Sequence, residues 1–304
     1  MIVLKPNKLS AASLISTTAV ETVALWNAAT SYAVGNLVRR DTTNRIYECL
    51  TAGVDATLPE VSAALATGAR WLDTGPSNKY AILDEQINTK TSATTTLTFV
   101  IAPGACTSIA LFGIEGAYTA TATVRDGLAG SVVFTKTQTL DATIITDWFD
   151  YFFELNVPKP DWVVTGIPPY NNAHVTITLT ATTGTTVKCG VFLAGFTYDL
   201  GTTNYGASAG IIDYSKKDTD EFGNTTFVRR AYSKRLSAKL DLPNSKLNKI
   251  QYVLAELRAT PSAWMGTNEF GYDPLTVYGF YKDFSIEVQY ADWSSCSLEI
   301  EGLI

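Results

Sequence analysis

Six stretches between residues 81 and 200 limit the possible folds more than any other feature of this chain. "TTTLTFVIA", "TSIALFGIEG", "ATATVRD", "SVVFTKTQTL", "HVTITLTATT" and "VKCGVFLAGFTYDL" either alternate or run apolar, with Gly, Pro and Asp between them. Alternation sends successive side chains to opposite faces of a strand. Thr and Val fit a pleated, half-buried surface. Strands at this spacing predict a sandwich or jelly roll of roughly 110–120 residues.

The flanks differ. Residues 24–80 read as a small β module: "YAVGN" and "DTTN" supply turns between short strands, and a helical turn or two starts near Pro59 and stops at Gly68. Residues 1–23 read as an arm, which either docks on another subunit or packs on its own domain. Residues 201–304 read as an α+β domain of strand, helix and further strands. "TTFVRRAYSKRLSAKLDL" is expected as one long alternating strand, with Phe227, Ala231 and Leu236 marked by intervening charges. The helix near 245–258 carries Leu247, Ile250, Val253, Leu254 and Leu257 on one side, capped by Asn244 or Ser245 and ended by Pro261. The chain is thus expected to be mainly β and multidomain.

Composition narrows the function. Charged residues are 17% of the chain and the net charge is −6. The densest basic clusters are "VRR" and "SKR", too little for phosphate-driven nucleic-acid binding. Low charge suits a protein packed against neighbours, because interface centres are depleted of charge. Cys49, Cys106, Cys189 and Cys296 follow no C-x-x-C spacing and stand in apolar runs, so four buried free thiols are expected. The first ten residues lack a signal-peptide core, and no apolar stretch is long enough to span a bilayer. Synthesis in the cytoplasm without membrane insertion is the expectation.

Candidate chemistry is sparse. His174 is the single histidine and stands in a β run, where a structural role is the usual one. Asp218, Asp220 and Gly223 imitate the start of a calcium loop, but Phe222 and Arg229 stand where ligands are needed. Asp147 and Asp150 flank Trp148 without any spacing that defines a glycosidase pair. No enzyme, cofactor or metal is expected. Aromatics are the more telling residues. "TDWFDYFFELNVPKPDWVVTGIPPYNNA" either covers the sandwich edge or forms an exposed patch, with Trp148, Phe149, Tyr151 and Trp162 as candidate partner-binding residues.

The spacing Trp26, Tyr32, Gly35, Val38, Tyr47 and Trp71 resembles the small chitin-binding type of carbohydrate-binding module, over about 50 residues. Trp26, Tyr32, Tyr47 and Trp71 are therefore candidates for glycan contact or for the module core. "YECLTAGVDATLP" lacks the exposed aromatics usual after the Tyr. Together with "WLDTGPSNKYAILDEQINTKT", "DWFDYFFE", "IPPYNNAHVTITLT", "YGASAGIIDYSKKDTDEFGNTTFVRRAYSKR", "VYGFYKDFSIEV" and "SCSLEIEGLI", that module gives nearly the whole chain a resemblance to a family of tailed-bacteriophage virion proteins. The resemblance implies a structural component of a tail or baseplate, assembled in the host cytoplasm and located in the virion. It implies other tail proteins as partners and no catalytic residues. A homo-oligomeric ring, trimeric or hexameric, is expected, with contacts through residues 1–23 or 201–304. The alternative is an adhesion module that binds host surface glycans through residues 24–80.

Overall fold

The computed structural model describes every residue except 144, 183 and 268–271. Strands make up 48% of the chain and helix 11%, so sheets decide the architecture. Among the described residues the α-helices are α1 (Pro59–Ala63), α2 (Trp148–Phe153) and α3 (Leu247–Glu256).

The alternating stretches form one half of a sandwich. An antiparallel sheet runs Val132–Thr139, Thr119–Asp126, Ala173–Thr180, Thr96–Ile101 and Leu14–Thr17. Its inward residues, such as Phe99, Val124, Ile177 and Leu179, meet Ile109, Leu111, Val164 and Phe192 from the opposite sheet in one core. Phe99 and Phe192 pack edge to face at 5.7 Å, a favoured aromatic geometry. On the outer face the register sets Thr137, Thr121, Thr178 and Thr98 in one row across four strands. Hydroxyls rather than charges wet this face, which accounts for part of the low charge.

The opposite sheet has ten strands and continues well beyond the sandwich. From Trp162–Thr165 it passes through Ser108–Phe112, Val191–Asp199, Ile2–Pro6, Ser262–Met265, Thr276–Glu287 and Trp293–Gly302 to Tyr232–Pro243. Thr202–Thr203 and Ser208–Asp213 form its edge. Every residue of Ser108–Phe112 is buried because both faces of the sheet are covered there, and that is why this strand reads as a continuous apolar run.

Ile2–Pro6 is the seam. It pairs with Val191–Asp199 on one side and with Ser262–Met265 on the other. The arm therefore packs on its own chain. Val3 enters the C-terminal core, while Leu4 joins Phe112, Leu193 and Tyr278 on the other face. Gly195 permits the approach: a Cβ there would lie 1.9 Å from the Lys5 carbonyl oxygen. Phe112 stacks on Tyr278 at 5.1 Å, and the Tyr278 hydroxyl donates to the Glu85 carbonyl.

The C-terminal part follows the expected order of strand, helix and three strands. Ile250, Val253, Leu254 and Leu257 pack on Leu236, Leu240, Leu298 and Ile300. Two details differ from expectation. Asn244 does not cap the helix; its amide donates to the Tyr290 and Ala291 carbonyls, and a 3-10 turn leads into α3 instead. The expected long strand is also broken at residues 229–231. Thr225–Val228 pairs only with Lys216–Thr219, away from the main sheet, and Phe227 is exposed.

Candidate functional site

The module at 24–80 is built round a three-stranded sheet of Leu37–Arg40, Arg45–Cys49 and Trp71–Pro76. The register sets Val38 opposite Tyr47 and Cys49 opposite Trp71. These four side chains form the buried core, with Trp26 and Tyr32 packed against it. Trp71 is 1% exposed and takes the Tyr32 ring edge-on at 5.2 Å. The Arg40 guanidinium lies 5.0 Å from the Trp26 ring centroid and is held there by two 3.0 Å hydrogen bonds to Glu60 of α1. Partial burial works against the Glu60 carboxylate, but the bonds from Arg40 prevail and hold it below its ordinary range. The four sequence-predicted aromatics are thus brought together, with Tyr47 and Trp71 fully interior and one face of Trp26 occupied by an arginine.

Where the module joins the sandwich, its two connections are tied together. One oxygen of the Glu21 carboxylate accepts from the Ser77 hydroxyl at 2.8 Å and from the Lys79 amide at 2.9 Å. Asn78 bonds the Val20 carbonyl and both backbone groups of Ser92. Such a joint fixes the module's base.

A second feature is a loop across residues 141–158 that carries α2. Asp147 caps the helix, accepting from the Asp150 amide at 2.9 Å. Asp150 accepts from the Thr146 hydroxyl and amide, which hold it below the usual carboxylate range. These two acids serve the helix end and do not face one another as a catalytic pair. The helix they start presents Trp148, Phe149, Tyr151, Phe152 and Phe153 to solvent, at 62% to 79% exposure. The rings contact one another: Phe149 meets Phe153 at 4.8 Å and Tyr151 meets Phe152 at 5.1 Å. Leu155 beside them is 83% exposed. Trp162 does not belong to this patch. It is 2% exposed in the sandwich core, because it lies on the inward face of Trp162–Thr165, and its indole donates to Gln138.

A third feature, not foreseen from sequence, is the hairpin of Lys216–Thr219 and Thr225–Val228, exposed along its whole length. Asp220 closes its tip by accepting from the amides of Phe222 and Asn224, so the calcium-like residues form a turn. Phe222 at 90% and Phe227 at 71% exposure stand on it. The signal was present in the sequence as two adjacent arginines that interrupt the alternation, at Arg229 and Arg230.

Beside the loop lies a cleft of about 400 Å³, bordered by Val157, Ile211, Tyr232, Lys234 and Pro274. Ion pairs stiffen its floor: Lys159 with Asp273 at 2.7 Å, and Lys234 with Asp161.

The remaining candidates are accounted for locally. His174 stands on a strand, with Nδ1 3.0 Å from the Asn172 carbonyl. All four cysteines are buried and unbridged. Burial pushes the thiols of Cys106 and Cys296 up to about 11, and that of Cys189 further. Among the described residues no group of three or more His, Cys, Asp and Glu could hold a metal ion, and no helix is long and apolar enough to cross a membrane.

No protein-family model matches this chain, and no curated protein does. Among solved structures it is similar to the F5/8 type C domain of a Bacteroides fragilis protein, at 15% identity and a TM-score of 0.26, over 53% of this chain and 96% of that one. A superposition at that score carries nothing over to this chain.

Proposed function

We propose that the chain is a structural component of a bacteriophage tail or baseplate, held in a ring-like complex by protein contacts. The observation that carries this reading is the α2 loop. Five aromatic rings of roughly 200 Å² each, about two-thirds exposed, present on the order of 700 Å². That exceeds the largest apolar patch of an ordinary monomer, about 300–600 Å². It approaches the roughly 800 Å² that each partner buries in a standard interface. The resemblance of the sequence to tailed-phage virion proteins supports the same reading. So does the tied joint at Glu21 and Asn78, which suits a part that must hold its shape under load. Glycan adhesion through residues 24–80 is less well supported, because Tyr47 and Trp71 offer no free ring face.

The test is incorporation. Particles of the phage that encodes the chain are purified and their proteins quantified by mass spectrometry. The chain is expected at a fixed multiple of three copies per particle. The double variant Trp148→Ser with Phe152→Ser is expected to fold, since both residues are exposed, yet to be lost from particles. Absence of the unaltered chain from particles overturns the reading, as does unchanged incorporation of the variant.

A further inference from the structure

We propose that the edge strand Ser208–Asp213 pairs with the same strand of a second copy, antiparallel about Ile211, so that the ten-stranded sheet runs on from one copy into the next. This goes beyond the assembly reading above and does not use the α2 loop. The first argument is that this edge is bare where the others are guarded. A sheet edge offers unpaired amides and carbonyls to any other strand, and short length, charges, prolines and bulges are the usual protections. At the far end of the same sheet, Trp162–Thr165 has four residues, and its Trp162 indole reaches across to Gln138. In the other large sheet, Leu14–Thr17 has four residues and a shifted register. Val132–Thr139 also has a shifted register and carries Lys136. Ser208–Asp213 has six residues in unbroken register, with no Lys, Arg or Pro and a single acid at its end. All of it but Ile212 is exposed.

The second argument is the phase of the ladder. The Tyr214 amide donates to the Ala231 carbonyl, which continues the register of Ser208–Asp213 on Tyr232–Pro243. Bonded pairs alternate along an antiparallel ladder, so Ser208, Gly210 and Ile212 bond inward. Ala209, Ile211 and Asp213 turn their amides and carbonyls outward, and no partner meets those groups among the described residues. Outward residues spaced evenly about Ile211 are complementary to their own antiparallel copy. Ile211 exchanges both bonds with its counterpart, and Ala209 exchanges both with Asp213 on either side. No other centre pairs all of them. Charge agrees, because the Asp213 carboxylate lies opposite Ala209 rather than another acid. The side chains opposed at the axis are two Ile211, each 64% exposed in the single chain. Such a contact is isologous and closes at two copies, since pairing uses up the edge that made it.

The test is sedimentation velocity over a hundredfold range of concentration, on the chain carrying Trp148→Ser with Phe152→Ser, so that α2 contributes nothing. A monomer–dimer equilibrium is expected. In the dimer, amide exchange followed by NMR is expected to slow at Ala209, Ile211 and Asp213 and to stay unchanged at Gly210 and Ile212. Ile211→Pro removes an outward donor without breaking a bond to Tyr232–Pro243, and Gly210 before it has no Cβ to clash. That chain is expected to keep its circular dichroism and stay monomeric. Ile211→Lys and Ile211→Glu each set like charges opposite one another at the axis. Each alone is expected to associate roughly tenfold or more weakly, and an equimolar mixture to recover the dimer. A monomer at every concentration overturns the proposal and leaves the edge to a strand of another protein. Growth beyond two copies overturns it, as does association that all of these substitutions leave unchanged, or a mixture that fails to recover. Incorporation of the unaltered chain into particles without this dimer defeats this contact alone. The dimer without incorporation defeats the assembly reading alone.

Discussion

Trp71 and Trp148 have opposite environments, and the difference is set by their neighbours. Trp71 lies on the inner face of a three-stranded sheet, against Tyr32, Tyr47 and Cys49. A module of this size holds roughly 5 kcal/mol at about 0.1 kcal/mol per residue. Removing a buried Trp costs roughly 3–5 kcal/mol. Trp71→Ala in the full chain should therefore open residues 24–80 to limited proteolysis while the sandwich stays resistant; an unchanged digestion pattern would contradict a core role. Glu60 gives a pH prediction. Its carboxyl is held below its ordinary value in the folded chain, so its contribution is complete above the unfolded value, about 4.3. It fades as the pH falls through the lower folded value. Protection of the module should drop over that acidic window, and Glu60→Gln should flatten the drop. Of the aromatics named from sequence, Trp162 reads as part of a long connection, and its burial was not legible. Trp162–Thr165 is a short strand, and the strand it pairs with, Ser108–Phe112, lies far away in sequence.

At the scale of elements, alternation predicted strands such as Thr119–Asp126 and Ala173–Thr180 well, because one face of each meets the core and the other does not, while the continuous apolar run marked Ser108–Phe112, which is covered on both faces. It was incomplete at two places for a shared reason: the determining partner is distant. Ile2–Pro6 left open whether the arm docks on another subunit or on its own chain, since both its neighbours come from beyond residue 190. Thr225–Val228 looked like the start of a longer strand, although no sheet extends behind it. The seam yields a sharp prediction. Gly195→Ala sets a methyl 1.9 Å from the Lys5 carbonyl, so the two strands must separate. Overpacking of this kind costs roughly 1–3 kcal/mol. The melting temperature of the full chain should fall, and amide exchange should rise first along residues 2–6. Equal exchange in the two chains would show that the seam is not where the strain is taken up.

For the whole molecule, one sheet joins the sandwich to the C-terminal part, with Phe112 on Tyr278 and Lys234 on Asp161 as further ties. Such a body is rigid where it is buried. At the α2 loop and the hairpin, aromatic residues face water. The mainly β, multidomain class was legible from pattern and composition. Which aromatics stay bare was not, because Trp148 and Trp162 stand in one aromatic stretch and only the strand partner of Trp162 separates them. The most direct measurement is an electron cryomicroscopy reconstruction of the phage particle with this chain located in the map. The account predicts a ring of copies in the tail or baseplate, with Trp148, Phe152 and Phe227 covered by neighbouring protein. A map in which the chain is absent, or present with those side chains still facing solvent, would contradict it.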